Sequence, residues 1–125
     1  MFRIDEEKTI HLTRGDIANI KVSATKTDGT PHTFLVGDVV RIKVVKKKDY
    51  GSVVMQKYVE VAQEGTQVSI YLTKDETKFG EVISKPTTYW YEVELNPNTT
   101  PQTIIGSDED GDKQFILYPE GSDEQ

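Results

Sequence analysis

The sequence predicts an all-β fold, an antiparallel β-sandwich of about seven or eight strands. Three observations carry that expectation. Apolar and polar residues alternate with period two along most of the chain. The alternating runs are short and are separated by Gly, Pro, Asn and Asp turn chemistry. No amphipathic run is long enough to supply the helix of a β-α-β unit.

Taken in order, residues 9–13 form a first strand pattern. In residues 16–24, Ala18, Ile20, Val22 and Ala24 share one face while Asn19, Lys21 and Ser23 share the other, the signature of a half-buried strand. Lys26-Thr27-Asp28-Gly29-Thr30-Pro31 is a turn, because Gly frees the backbone and Pro fixes it. Val40, Ile42 and Val44 point inward from residues 39–46, with Arg41 and Lys43 outward. Lys46 to Gly51 reads as an exposed hairpin connection. Residues 52–61 place Val53, Met55, Val59 and Val61 on one face, which Lys57 interrupts, so an edge strand or a bulge is expected there. Val68, Ile70 and Leu72 mark the next strand. Thr73-Lys74-Asp75-Glu76 then has capping-box spacing, and one short helical turn near 73–79 is expected, ended by Gly80. Residues 88–95 are the strongest strand, with Tyr89, Tyr91, Val93 and Leu95 facing one way. Two last strands, at residues 103–105 and 114–118, flank the acidic turn at 107–112.

The 125 residues fit one domain, with an ordered core at about 8–119 and an acidic, flexible tail at 120–125. Charge is distributed unevenly. Residues 1–105 carry fourteen acidic and fourteen basic side chains, so the net charge of −6 resides in the last twenty residues. Such a balance argues against nucleic acid or an anionic membrane as partner, and no apolar stretch approaches the roughly 18 residues of a membrane span. The absence of cysteine excludes disulfides and thiolate-bound metals and fits a cytosolic site of synthesis. The two histidines, His11 and His32, lie far apart in sequence. No phosphate loop and no nucleophile motif is present, so no enzymatic activity, metal or cofactor is expected.

Several motifs have a structural and a functional reading. Arg14-Gly15-Asp16 matches the tripeptide read by integrins, but it lies between two strand patterns and suits a tight turn. Asp108-Glu109-Asp110-Gly111-Asp112 fails the calcium-loop pattern, which needs Gly at position six and an acid at position twelve; Lys113 and Pro119 stand there. Asp110-Gly111 reads better as a hairpin turn. Arg41, Lys43, Lys46, Lys47 and Lys48 form a basic stripe, read as a guard on a strand edge rather than a nucleic-acid site. Asn98-Thr99-Thr100 fits a glycosylation acceptor, without a secretory signal to make it meaningful. Trp90, Glu92 and Glu94 share the face opposite Tyr89, Tyr91 and Val93. An exposed aromatic beside carboxylates can bind sugar, and two carboxylates can cleave a glycoside. Such faces more often pack against a protein partner, and aromatic residues are enriched in interfaces. Trp90, Glu92, Glu94 and Tyr118 are therefore the candidate interface residues.

The order of these motifs carries a resemblance. Leu12-Thr13-Arg14-Gly15-Asp16, an alternating strand and Thr27-Asp28-Gly29-Thr30-Pro31 come first. Residues 39–45, Leu72-Thr73-Lys74-Asp75-Glu76-Thr77 and Tyr89-Trp90-Tyr91-Glu92-Val93 follow. Pro101-Gln102-Thr103-Ile104-Ile105-Gly106 and Phe115-Ile116-Leu117-Tyr118-Pro119-Glu120 close the set. Together, over residues 9–120, they resemble the N-terminal domain of the phage baseplate upper protein family of Gram-positive siphophages and prophages. The resemblance implies an immunoglobulin-like sandwich and a non-enzymatic structural role in the virion. It implies docking onto tail or baseplate proteins, with a hub protein as the expected partner, and leaves self-association open. It supplies no catalytic residues. Longer members continue into a helical stalk, whereas this sequence has no heptads, so stalk trimerisation and carriage of a receptor-binding protein are not carried over. A carbohydrate-binding or adhesion module recognising host glycans is the alternative expectation.

Overall fold

The computed structural model describes residues 1–26, 28–46, 52–105 and 113–120. It is all-β, with nine strands: β1 (Phe2–Ile4), β2 (Ile10–Thr13), β3 (Ala18–Val22), β4 (Val39–Val45), β5 (Val53–Glu60), β6 (Val68–Leu72), β7 (Thr87–Leu95), β8 (Gln102–Ile105) and β9 (Gln114–Tyr118). The larger sheet runs β1-β2-β9-β7-β4-β5, with β8 also on β7; β3 and β6 form a second, two-stranded sheet. An order β9-β7-β4-β5 facing β3-β6 is the immunoglobulin-like arrangement, with one strand added beyond the central three.

The period-two patterns become the core directly. Ile20 and Val22 of β3, and Ile70 and Leu72 of β6, are fully buried. They meet Ile10 and Leu12 of β2, Val40, Ile42 and Val44 of β4, Tyr91 and Val93 of β7, and Phe115 and Leu117 of β9. The two-stranded sheet is too narrow to cover this face alone. The connection from β6 to β7 covers part of the remainder, because Phe79 packs edge-on against Tyr89 at 5.2 Å and Phe115 at 5.4 Å. Phe34 is fully buried and bridges to Gly65 on another side.

Three features depart from a simple antiparallel reading. β2 pairs with β9 in parallel, Ile10 opposite Phe115 and Thr13 opposite Tyr118. β1 precedes the expected start of order and pairs with β2. β8 and β9 are not the arms of a hairpin. Both run antiparallel to β7, β8 along Val93–Leu95 and β9 along Thr87–Trp90, as two stretches of one interrupted strand. Residues 106–112 between them, including Asp110-Gly111, lie outside the described residues, as do Thr27, Lys47, Lys48 and residues 121–125.

Other local expectations take definite form. β4 and β5 pair antiparallel, closed by Lys46 N–H to the Ser52 carbonyl at 2.9 Å, with a bulge at Val44/Val45. β5 is an edge strand. Lys57 lies on its inward side, opposite Ile42, and donates to the Tyr71 carbonyl and, at 2.7 Å, to Glu76. An inward-pointing charge is one way an edge resists further pairing. The capping box is reciprocal: Thr73 N–H donates to Glu76 at 2.9 Å, and Glu76 N–H to the Thr73 hydroxyl at 3.2 Å. It closes a single turn, Thr77 N–H to the Thr73 carbonyl at 3.1 Å, and no helix occurs among the described residues. Gly80 follows with φ +72°.

Candidate interaction surface

β7 sorts its side chains by parity. Tyr89, Tyr91, Val93 and Leu95 are buried, and Trp90, Glu92 and Glu94 are half-buried on the outer face. Across the ladder, Arg41 of β4 stands opposite Glu94, Lys43 opposite Glu92, and Val45 opposite Trp90. Opposite charges facing each other across a ladder attract, and here they meet. Arg41 reaches Glu94 directly and Glu92 at 3.4 Å, and Lys43 reaches Glu92 at 3.0 Å. All four side chains are only 14–18% exposed. One guanidinium nitrogen serves both carboxylates, and the shielded Arg41 Nε has no partner among the described residues.

This placement corrects the reading of the basic stripe. β4 is an interior strand between β5 and β7, so Arg41 and Lys43 guard no edge; they neutralise the carboxylates of β7. On the far side of β4, Tyr58 of β5 lies opposite Arg41 and is 45% exposed. The outer face is thus a charge-balanced cluster with Tyr58 on one flank and Trp90 on the other.

Tyr118 shares the outward parity of Gln114, which stands opposite Trp90. Four residues further along β9, it is about 13 Å from that position at the usual strand rise. It belongs to a second cluster. His11, buried on β2, lies 2.9 Å from the Tyr118 hydroxyl through Nδ1 and 3.0 Å from Asp5 through Nε2. Asp5 also accepts from the backbone N–H groups of Glu7 and Thr9, both at 3.0 Å. The hydrogen bond from His11, followed by that from Thr9, holds the Asp5 carboxyl below its usual range. In the tautomer that carries its hydrogen on Nε2, that nitrogen donates to Asp5 and Nδ1 accepts from the Tyr118 hydroxyl. Nothing in the order of residues announces this cluster, since Asp5 arrives through a turn that depends on Lys8 at φ +68°.

Arg14-Gly15-Asp16 is a turn, with Gly15 at φ +89° and Asp16 N–H donating to the Thr13 carbonyl at 3.0 Å. The Arg14 side chain is 10% exposed and donates to Glu120 and to the Lys78 carbonyl, each at 3.1 Å, so its head is not displayed. Glu120, expected in a flexible tail, is tied down by that bond. Among the described residues no group of His, Asp or Glu side chains could hold a metal ion, and no helix could cross a membrane.

Fold and surface together define a two-sheet immunoglobulin-like sandwich with a charge-balanced, aromatic-flanked outer sheet face. No family model and no curated protein matches the sequence. Among solved structures, the chain is similar to a chain of the CsuC-CsuE chaperone-tip adhesion subunit pre-assembly complex from archaic chaperone-usher Csu pili of Acinetobacter baumannii. Identity is 14% and the TM-score is 0.41, over 97% of this chain and 53% of that one, so this chain spans about half its length. A likeness of that size carries no functional argument.

Proposed function

We propose that this chain is a non-enzymatic structural protein of a phage or prophage virion, placed in the tail or baseplate and assembled through protein–protein contacts. It is made in the bacterial cytoplasm and joins the particle there, with tail or baseplate proteins as partners. The ordered motif set over residues 9–120 supports the virion setting. The observation that carries the assembly role is the outer face of β4, β5 and β7. The four charges of β4 and β7 there, Arg41, Lys43, Glu92 and Glu94, are already paired, so covering them strands none of the four, and Tyr58 and Trp90 supply the aromatic contact that interface cores favour. The same pairing weighs against the glycan reading, because Glu92 and Glu94 are engaged by Arg41 and Lys43 rather than available to sugar hydroxyls.

The test is incorporation of Tyr58→Ala/Trp90→Ala into particles of an induced prophage. Incorporation at least tenfold below wild type, with an unchanged circular dichroism spectrum, is expected. Wild-type incorporation would remove this face as the contact. Binding to cell-wall polysaccharide that Trp90→Ala abolishes would favour the adhesion module instead.

A further inference from the structure

Away from that face, two strands have an edge that no described strand covers. Among the described residues β3 pairs only with β6, and β8 pairs only with β7. Each therefore presents a strand edge whose N–H and C=O groups have no neighbouring strand among the described residues. Beside these elements lies a groove of about 750 Å³. Ile104 and Ile105 of β8, partly buried against the core, contribute apolar lining. Lys8, Lys21 and Lys26 line it as well, all exposed, and none of them is ion-paired to a described residue. Among the described residues no Asp or Glu lines the groove. His32 also lines it, its ring edge-on to Phe34 at 5.0 Å, and its Nε2 is shielded from solvent without a partner among the described residues.

We infer that this groove receives an extended, acidic segment of a partner polypeptide, which adds as a strand to one of the two open edges. Each feature has a counterpart in such a segment. Its backbone satisfies an unpaired edge, the main-chain source of affinity in strand addition. Its side chains alternate, so apolar residues can lie on Ile104 and Ile105 while carboxylates reach the lysines. Nucleic acid fits less well. Among the described residues the lining offers no aromatic ring but the imidazole of His32 on which bases could stack. The inference does not depend on the virion setting, and its test reads no particle.

The probe is a synthetic peptide of alternating glutamate and valine, titrated by calorimetry and followed by amide hydrogen exchange on the full chain. The controls are the same peptide with a central proline, a lysine–valine counterpart, and a single-stranded oligonucleotide of equal charge. The acidic peptide is expected to bind, and to protect amides within residues 21–24 or 102–105. Affinity is expected to fall at least tenfold for the proline peptide and for Lys21→Glu/Lys26→Glu, whose exposed side chains can change without loss of fold. Equal binding of the proline peptide, or binding without new amide protection, would reduce the groove to a basic patch and overturn strand addition. Tighter binding of the oligonucleotide would reassign the groove to nucleic acid. No binding of any probe would overturn the inference.

Discussion

Replacing Arg41 tests whether the outer face is held as a pre-paired cluster. Arg41→Met keeps the aliphatic stem and removes the charge. Glu94 then loses the cation opposite it, while Glu92 keeps Lys43 at 3.0 Å. Exposed ion pairs contribute only about 0.2–1 kcal/mol, and hydrogen bonds to charged groups about 1.5–3 kcal/mol. With exposures of 14% and 18%, the Arg41–Glu94 pair sits between these regimes. Its single shared nitrogen and unpartnered Nε place it in the lower half of the range. A coupling of about 1–2 kcal/mol is therefore expected from a double-mutant cycle of Arg41→Met and Glu94→Gln. The assay is urea unfolding at pH 7 with an unchanged m-value. Lys43→Met is expected to cost less than Arg41→Met, because Glu92 retains Arg41. A coupling below about 0.5 kcal/mol, or a Lys43→Met cost equal to that of Arg41→Met, would refute the cluster as described.

Three further outcomes follow from the packing and the charges. Phe79→Ala, which empties the space between Tyr89 and Phe115, is expected to lose about 3–5 kcal/mol in urea unfolding; a loss under about 1 kcal/mol would show that the β6–β7 connection does not cover the core. Gly80→Ala is expected to destabilise by about 1–3 kcal/mol, since φ is +72° and a Cβ would stand 2.6 Å from the Tyr89 hydroxyl; unchanged stability in the same assay would contradict that geometry. Asp5, Asp28 and Glu76 are each held below the usual carboxyl range, by His11, by Thr30 and by Lys57 respectively. A depressed folded value gives stability above the unfolded value that is lost as pH falls through the folded one. The urea midpoint should therefore drop as pH falls below about 4, and less steeply in Asp5→Asn; a midpoint flat between about pH 5 and 2 would contradict the assignment.

What the sequence disclosed was local. Alternation located β3, β4, β6 and β7 and their buried faces, because side-chain parity is a property of the strand itself. Thr73 and Glu76 form the capping box their spacing announced, and Lys57 marked an edge because a lysine on an inward face needs somewhere to go. Trp90, Glu92 and Glu94 were placed on one face by the same parity. Pairing and register were hidden, since they join residues far apart in the chain. Nothing near Ile10 announces Phe115 as its parallel neighbour. The acids that meet Arg41 and Lys43 lie on β7, so the stripe read as an unpaired edge. Continuous alternation also cannot show that β8 and β9 share one edge of β7.

Membership of a virion is the function proposed for this chain. Its most direct test is quantitative mass spectrometry of purified, separated tails and heads after prophage induction in the encoding bacterium. The chain is predicted at stoichiometric level in the tail fraction. Its absence from particles that are otherwise complete would rule out the proposed virion role.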